Sequence, residues 1–85
     1  MMKKQLLAEY ISTLSELQMK TNEATDRAVY QQYLADAGSI LSKMELEIPL
    51  TDELEQHERL LGQSWIKDTL DHQQLYKKWD AFKKS

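Results

Sequence analysis

The chain has 85 residues and a mass of 10.0 kDa, with 11 Lys plus Arg against 14 Asp plus Glu, a formal net charge of -3, no cysteine, two glycines and one proline. A chain this short forms one small domain, residues 1–85, that buries about 60% of the surface it exposes when unfolded, so its core is small. Disulfides, thiolate-held metals and thiol redox chemistry are excluded, and a net acidic domain is a poor partner for phosphate backbones, which require a basic face.

The opening Met1-Met2-Lys3-Lys4 has the charge of a signal-peptide start, but Glu9, Ser12, Thr13 and Glu16 break the apolar run that would have to follow. The sequence therefore predicts neither a secretory leader nor a membrane span, and a cysteine-free chain of this kind suits a reducing cytoplasm. With 41% hydrophobic and 29% charged residues and a mean hydropathy of -0.66, the chain has the make-up of an ordinary folded domain. Average usage would give about ten Gly plus Pro, several times what is present. Few turns mean few, long elements, which points to helices.

Residues 3–20 place Leu7, Tyr10, Ile11, Leu14 and Leu17 on one helical face, with Leu6 at its edge. Glu16 stands four residues before Lys20 in the orientation that favours a surface pair. Thr21 and Asn22 interrupt the pattern, and either suits the N-cap of the next helix.

From Glu23 to Met44 or Leu46 the stripe continues through Ala28 or Val29, Tyr30, Tyr33, Leu34, Ala37, Ile40, Leu41 and Met44. Glu23 and Arg27 repeat the acid-before-base pairing. Gly38 costs about 1 kcal/mol relative to alanine inside a helix; it marks either a close helix approach or a tolerated surface position.

Glu47-Ile48-Pro49-Leu50 reads as a linker, because proline disfavours helix at the preceding residue and lacks a donor. Thr51 then reads as an N-cap, with Asp52 and Glu53 in the first turn. Leu54, His57 or Glu58, Leu60 and Leu61 carry a third helix, which Gly62 would end and Ser64 could restart. Trp65 and Ile66 fall between elements. Asp68, Thr69 and Asp71 each suit a cap, Asp71 with Gln74 forms a box-like start, and the last helix carries Leu75, Tyr76, Trp79 and Phe82 on one face, with Asp80 and Lys84 as a further pair.

Charge is unevenly spread: residues 1–20 sum to +1, 21–46 to -2, 47–70 to -4 and 71–85 to +2. Glu45, Glu47, Asp52, Glu53, Glu55 and Glu58 follow one another without a base, whereas Lys77, Lys78, Lys83 and Lys84 crowd the end. This is what solvated helix termini complementing their dipoles would show; read functionally, the acidic run is a surface for a basic partner.

Candidate chemistry is sparse. His57 has Glu53 at i-4 and Glu58 beside it, and His72 has Asp68 at i-4, but a metal site needs three or more ligands. Histidine phosphotransfer domains are also small helical bundles, yet they place lysine and glycine three and four residues after the histidine, where this chain has Leu60 and Leu61. Gly62-Gln63-Ser64-Trp65 lacks the second glycine of a nucleophile elbow, and two isolated glycines cannot build a phosphate-cradling loop. No catalytic residue, cofactor or metal ligand is expected.

The remaining signal is aromatic. Trp65, Tyr76, Trp79 and Phe82 suit a core, a dimer interface or the hot spot of a partner surface, because large rings bury much area at small entropic cost. The sequence thus predicts an all-α bundle of about four helices, a long N-terminal hairpin followed by two shorter helices. Homodimerisation is one way to cover apolar surface that so small a core leaves open, and a self-contained monomer is the other. As to function, the chain reads first as a cytoplasmic protein-protein interaction module or regulator without catalysis, binding a protein partner or itself through Trp65, Tyr76, Trp79 and Phe82. It reads second as an acidic inhibitor that docks Glu45 to Glu58, Glu53 and Glu55 among them, on a basic site of a nucleic-acid enzyme or other target. Neither membrane nor direct nucleic-acid binding is expected. The Lys-, Glu- and Gln-rich helices are bacterial in style.

Overall fold

The computed structural model describes residues 2–85; Met1, in the N-terminal basic stretch, lies outside them. Four helices make up the described chain, α1 (Met2–Lys20), α2 (Ala24–Glu45), α3 (Thr51–Gln63) and α4 (Leu70–Lys84). They run alternately up and down. Lys4 at the start of α1 reaches Glu45 at the end of α2 at 3.4 Å, Tyr33 early in α2 donates to the Leu60 carbonyl late in α3 at 3.2 Å, and Lys3 lies over the ring of Phe82 near the end of α4. A 22-residue helix is about 33 Å long, and the 36 Å long axis of the molecule is therefore set by α2.

The expected stripes meet in the centre. Leu7, Tyr10 and Leu14 of α1, Tyr30, Tyr33, Ala37 and Ile40 of α2, Leu61 of α3 and Leu75, Trp79 and Phe82 of α4 are buried, with Ile66 added from the last connection. Leu6, Ile11, Leu17, Val29, Leu34, Leu41, Met44, Leu50, Leu54 and Leu60 pack partly buried around them. Backbones approach closely between α1 and α2 and between α1 and α4, less between α2 and α3, and sparsely between α3 and α4. The α3–α4 seam is held instead by side chains: Lys83 and Tyr76 both reach Glu58 Oε1, and the ring of His72 reaches the Leu61 carbonyl.

Several boundaries differ from the sequence expectation for local reasons. Neither Thr21 nor Asn22 is the N-cap of α2; Glu23 takes that place without a side-chain bond, while the Thr21 hydroxyl accepts from the Glu23 amide and Arg27 turns back to the Thr21 carbonyl at 3.0 Å. Arg27 is thereby drawn away from Glu23, and the expected Glu16/Lys20 and Glu23/Arg27 pairs are absent among the described residues, whereas Lys84 and Asp80 do pair at 2.9 Å. Helix α3 begins one residue early, with Leu50 as N-cap, because Leu50 packs against the core and its carbonyl accepts from Leu54. Gly62 does not end α3: it stays helical to Gln63, and Ser64 caps the helix, its hydroxyl accepting from the Ile66 amide. Thr69 is the cap of α4, accepting from the His72 amide at 3.1 Å.

Helix α2 ends in a Schellman turn. The Ile48 amide donates to the Lys43 carbonyl at 2.9 Å and the Glu47 amide to the Met44 carbonyl at 3.1 Å, and Glu47 sits at φ 58° in the left-handed region that glycine normally fills. Pro49 follows immediately and prevents the helix from resuming. Gly38 marks no close approach, since a Cβ built there meets nothing within 4 Å. No helix among the described residues is long and apolar enough to cross a membrane.

Candidate functional site

The centre of the bundle holds a polar chain that crosses three helices. Asp36 lies on α2 three residues after Tyr33 and four before Ile40, at the edge of the apolar stripe. Its Oδ2 is 2.6 Å from Nδ1 of His57, and Nε2 of His57 is 2.6 Å from the Tyr10 hydroxyl of α1. A carboxylate can only accept, so Nδ1 carries the ring proton; neutral Nε2 then accepts from the Tyr10 O–H, and both ring nitrogens are satisfied. Burial pushes His57 below its ordinary value, against Asp36, which pulls it up. Burial likewise raises Tyr10, and the charges of Tyr33 and Asp36 add to the effect. Phenol and imidazole are therefore both neutral at rest.

His57 and Tyr10 are both 0% exposed, and aromatic rings enclose the imidazole. Trp79 lies 4.5 Å away between centroids, Tyr10 stands edge-on at 5.5 Å and Tyr33 at 5.8 Å. A Tyr/His/Asp sequence could pass a proton in an open site, but here no reacting atom can approach the phenol or the imidazole. A wholly buried His57 also offers no nitrogen to a phosphoryl donor. Glu53, its neighbour at i-4, is turned to Lys43, whose hydrogen bond and charge hold the Glu53 carboxyl below its usual value. No three carboxylates or imidazoles gather to hold a metal ion among the described residues.

A second polar arrangement opens to solvent. The α3–α4 seam contains a groove of about 590 Å³ lined by Leu61, Gly62, Lys67, His72, Tyr76 and Lys77, with Asp68 and Gln73 at its rim. His72 is buried, its Nε2 donating to the Leu61 carbonyl at 3.0 Å, and its Nδ1 has no partner. Burial lowers its pKa, with the Leu61 hydrogen bond and Asp68 opposing. A protonated ring would present an unmatched buried N–H.

The four aromatic residues singled out from the sequence divide between core and surface. Trp79 and Phe82 are 0% exposed, with ring centroids 5.3 Å apart, and are closed to any partner of the folded chain. Trp65 and Tyr76 are 63% and 40% exposed: Trp65 leads the 64–69 connection and Tyr76 stands in the groove. Leu70, 70% exposed at the start of α4, joins them. Of the acidic run, Glu45, Glu53 and Glu58 pair with Lys4, Lys43 and Lys83, while Glu55 stays exposed beside Glu58 and Arg59.

Sequence reading did not find the Asp36–His57–Tyr10 chain. The available signal was positional: Tyr10 and His57 fall on apolar faces and Asp36 flanks one, but the faces alone do not say which polar groups meet across helices. His72 carried a similar clue, completing with Leu75, Trp79 and Phe82 a spacing of three, four and three that makes one helical stripe. Compared with protein-family models, curated proteins and solved structures, the chain matches none.

Proposed function

We propose that the chain is a non-catalytic, cytoplasmic interaction module that docks a protein partner on the α3–α4 face. One observation carries this reading: α3 and α4, whose backbones rarely approach each other, frame a groove lined by the exposed Tyr76, and the chain that links them exposes Trp65 in the 64–69 connection and Leu70 at the start of α4. Aromatic and aliphatic side chains in a partly open groove are what anchor protein partners. The alternative, an acidic inhibitor working through Glu45 to Glu58, has less support, because three of those carboxylates are already matched by lysines of the same chain. Within one copy each helix lays its stripe against the others.

Photo-crosslinking in cells tests the reading, with benzoylphenylalanine placed at 65, 70 or 76 and, as controls, at the exposed positions Ala8 and Ser12 of α1. Adducts should concentrate at the first three positions, and an adduct of twice the chain mass would identify the partner as a second copy. Equal or absent adducts at both sets would remove the assignment of this face.

A further inference from the structure

The fold makes no use of Gly62. It is the penultimate residue of α3, at a negative φ, and a Cβ built there meets nothing within 4 Å, so neither a turn nor a close approach within the chain calls for glycine. Alanine is favoured over glycine at such a helical position. Gly38 shares these properties but stands away from the α3–α4 groove, whereas Gly62 lines it. The missing side chain leaves exposed helix backbone open to whatever enters a space of about 590 Å³. The groove also differs in charge from the molecule as a whole. Lys67 and Lys77 line it against the single carboxylate of Asp68, on a chain of net charge -3. Neither lysine forms an ion pair among the described residues, whereas Lys4, Lys43, Lys83 and Lys84 each hold a carboxylate. Leu61 and the ring of Tyr76 supply apolar surface between them, the Tyr76 hydroxyl being turned to Glu58.

We propose that the groove takes an acidic segment of another protein, laid with its backbone against Gly62, an aliphatic side chain on Leu61 and Tyr76, and carboxylates toward Lys67 and Lys77. The proposal rests on the docking reading above and adds the chemistry of the partner. Absence of a Cβ lets a foreign backbone come close, apolar contact supplies affinity, and unpaired lysines steer carboxylates and fix their register. Asp68 then acts against wrong partners by leaving the charge excess small. A nucleic acid is the poorer fit, because phosphate binding draws on many cations and this groove has two.

The test is a titration of the full chain, followed by amide NMR shifts, with a blocked peptide of paired leucines flanked by glutamates. Its controls are the same peptide with lysine for glutamate and a single-stranded oligonucleotide. Saturable shifts at Gly62, Gln73 and Lys77 are expected with the glutamate peptide alone, at a Kd on the order of 100 μM. Gly62→Leu, which fills the groove, should weaken binding about tenfold, as should the exposed pair Lys67→Glu with Lys77→Glu, while Asp68→Asn should tighten it and Gly38→Ala should leave it unchanged. A side chain at 62 meets no other part of the chain, so the helical circular dichroism of Gly62→Leu should match the parent; the lysine pair gives the same readout without touching a helix backbone. The proposal is overturned by unsaturable shifts, by equal affinity for either control, or by unchanged affinity in both Gly62→Leu and the lysine pair. Benzoylphenylalanine at 76 separates its failure from that of the docking reading. Cellular adducts at 76 that persist undiminished in Gly62→Leu and in the lysine pair keep the face and overturn the acidic segment, whereas absent adducts together with absent peptide shifts overturn both.

Discussion

The centre of the bundle and the α3–α4 seam each bury a histidine, and the two are held in different ways. His57 has a partner on both ring nitrogens and aromatic rings around it; His72 has one carbonyl partner and one bare nitrogen, beside a groove open to solvent. A fully matched polar chain fixes how three helices meet, because any other register leaves a buried donor or acceptor alone. A half-matched one tolerates movement. The same residue type thus closes the core in one place and leaves a seam adjustable in the other, beside the exposed Tyr76.

The comparison breaks most visibly at Trp79. Its replacement by alanine removes the ring against which His57, Tyr10 and Phe82 pack, and should cost about 3–5 kcal/mol in urea unfolding. Trp79→Phe should cost much less, since the indole N–H has no partner to lose. Tyr10→Phe leaves Nε2 of His57 buried and bare, an expected loss of about 1–3 kcal/mol. A double-mutant cycle with Asp36→Asn should show the two ends of the chain coupled through the imidazole; additivity would dissolve the network into separate contacts.

Acid sharpens the comparison. Both histidines titrate below their ordinary value of 6.5 when folded, so the unfolded chain binds more protons at mildly acidic pH. Their contribution is complete above about pH 6.5 and is lost as pH falls from there through the folded-state values, with a slope of up to about 1.4 kcal/mol per pH unit for each proton. Urea midpoints measured from pH 8 to pH 5 should be level and then fall, and His72→Gln should remove one proton's share of the slope. A midpoint that rises on acidification would refute the buried neutral assignment.

Smaller effects belong to the seam and the helix ends. Glu58→Ala, which frees Lys83 and Tyr76, should cost less than about 1 kcal/mol because the ion pair is partly exposed, yet it should speed amide exchange in α4 more than in α2. Gly38→Ala should stabilise by about 1 kcal/mol, since the added methyl meets nothing. Glu47→Gly should give a gain of similar size, about 1 kcal/mol, by relieving the left-handed φ.

The four helices and most of their buried faces were legible because a 3.6-residue period in Leu, Tyr, Ile and Trp is a local property of the chain. Cap identities were less so. Thr21 and Thr51 have the right chemistry for capping, but Arg27 and the burial of Leu50 decided those termini, and both contacts depend on the folded backbone. At Trp65 and Ile66 the smaller apolar residue is inside and the larger outside, because in an irregular connection the turn, not a period, sets which side chain points inward. The chain from Asp36 to Tyr10 joins residues 21 and 47 positions apart in sequence on three helices, and no window of sequence contains it.

The placement of the two tryptophans gives the molecule a pair of internal spectroscopic reporters. Trp79 emits from a dry site packed against a neutral imidazole, and Trp65 from a largely exposed site on the 64–69 connection. An imidazolium quenches indole emission where a neutral imidazole does so weakly, so the blue component should dim when acid reaches His57, while the red component should shift only when something covers Trp65. Emission spectra of Trp65→Phe and Trp79→Phe would assign the bands, after which a single titration reads core protonation and surface occupancy in separate colours.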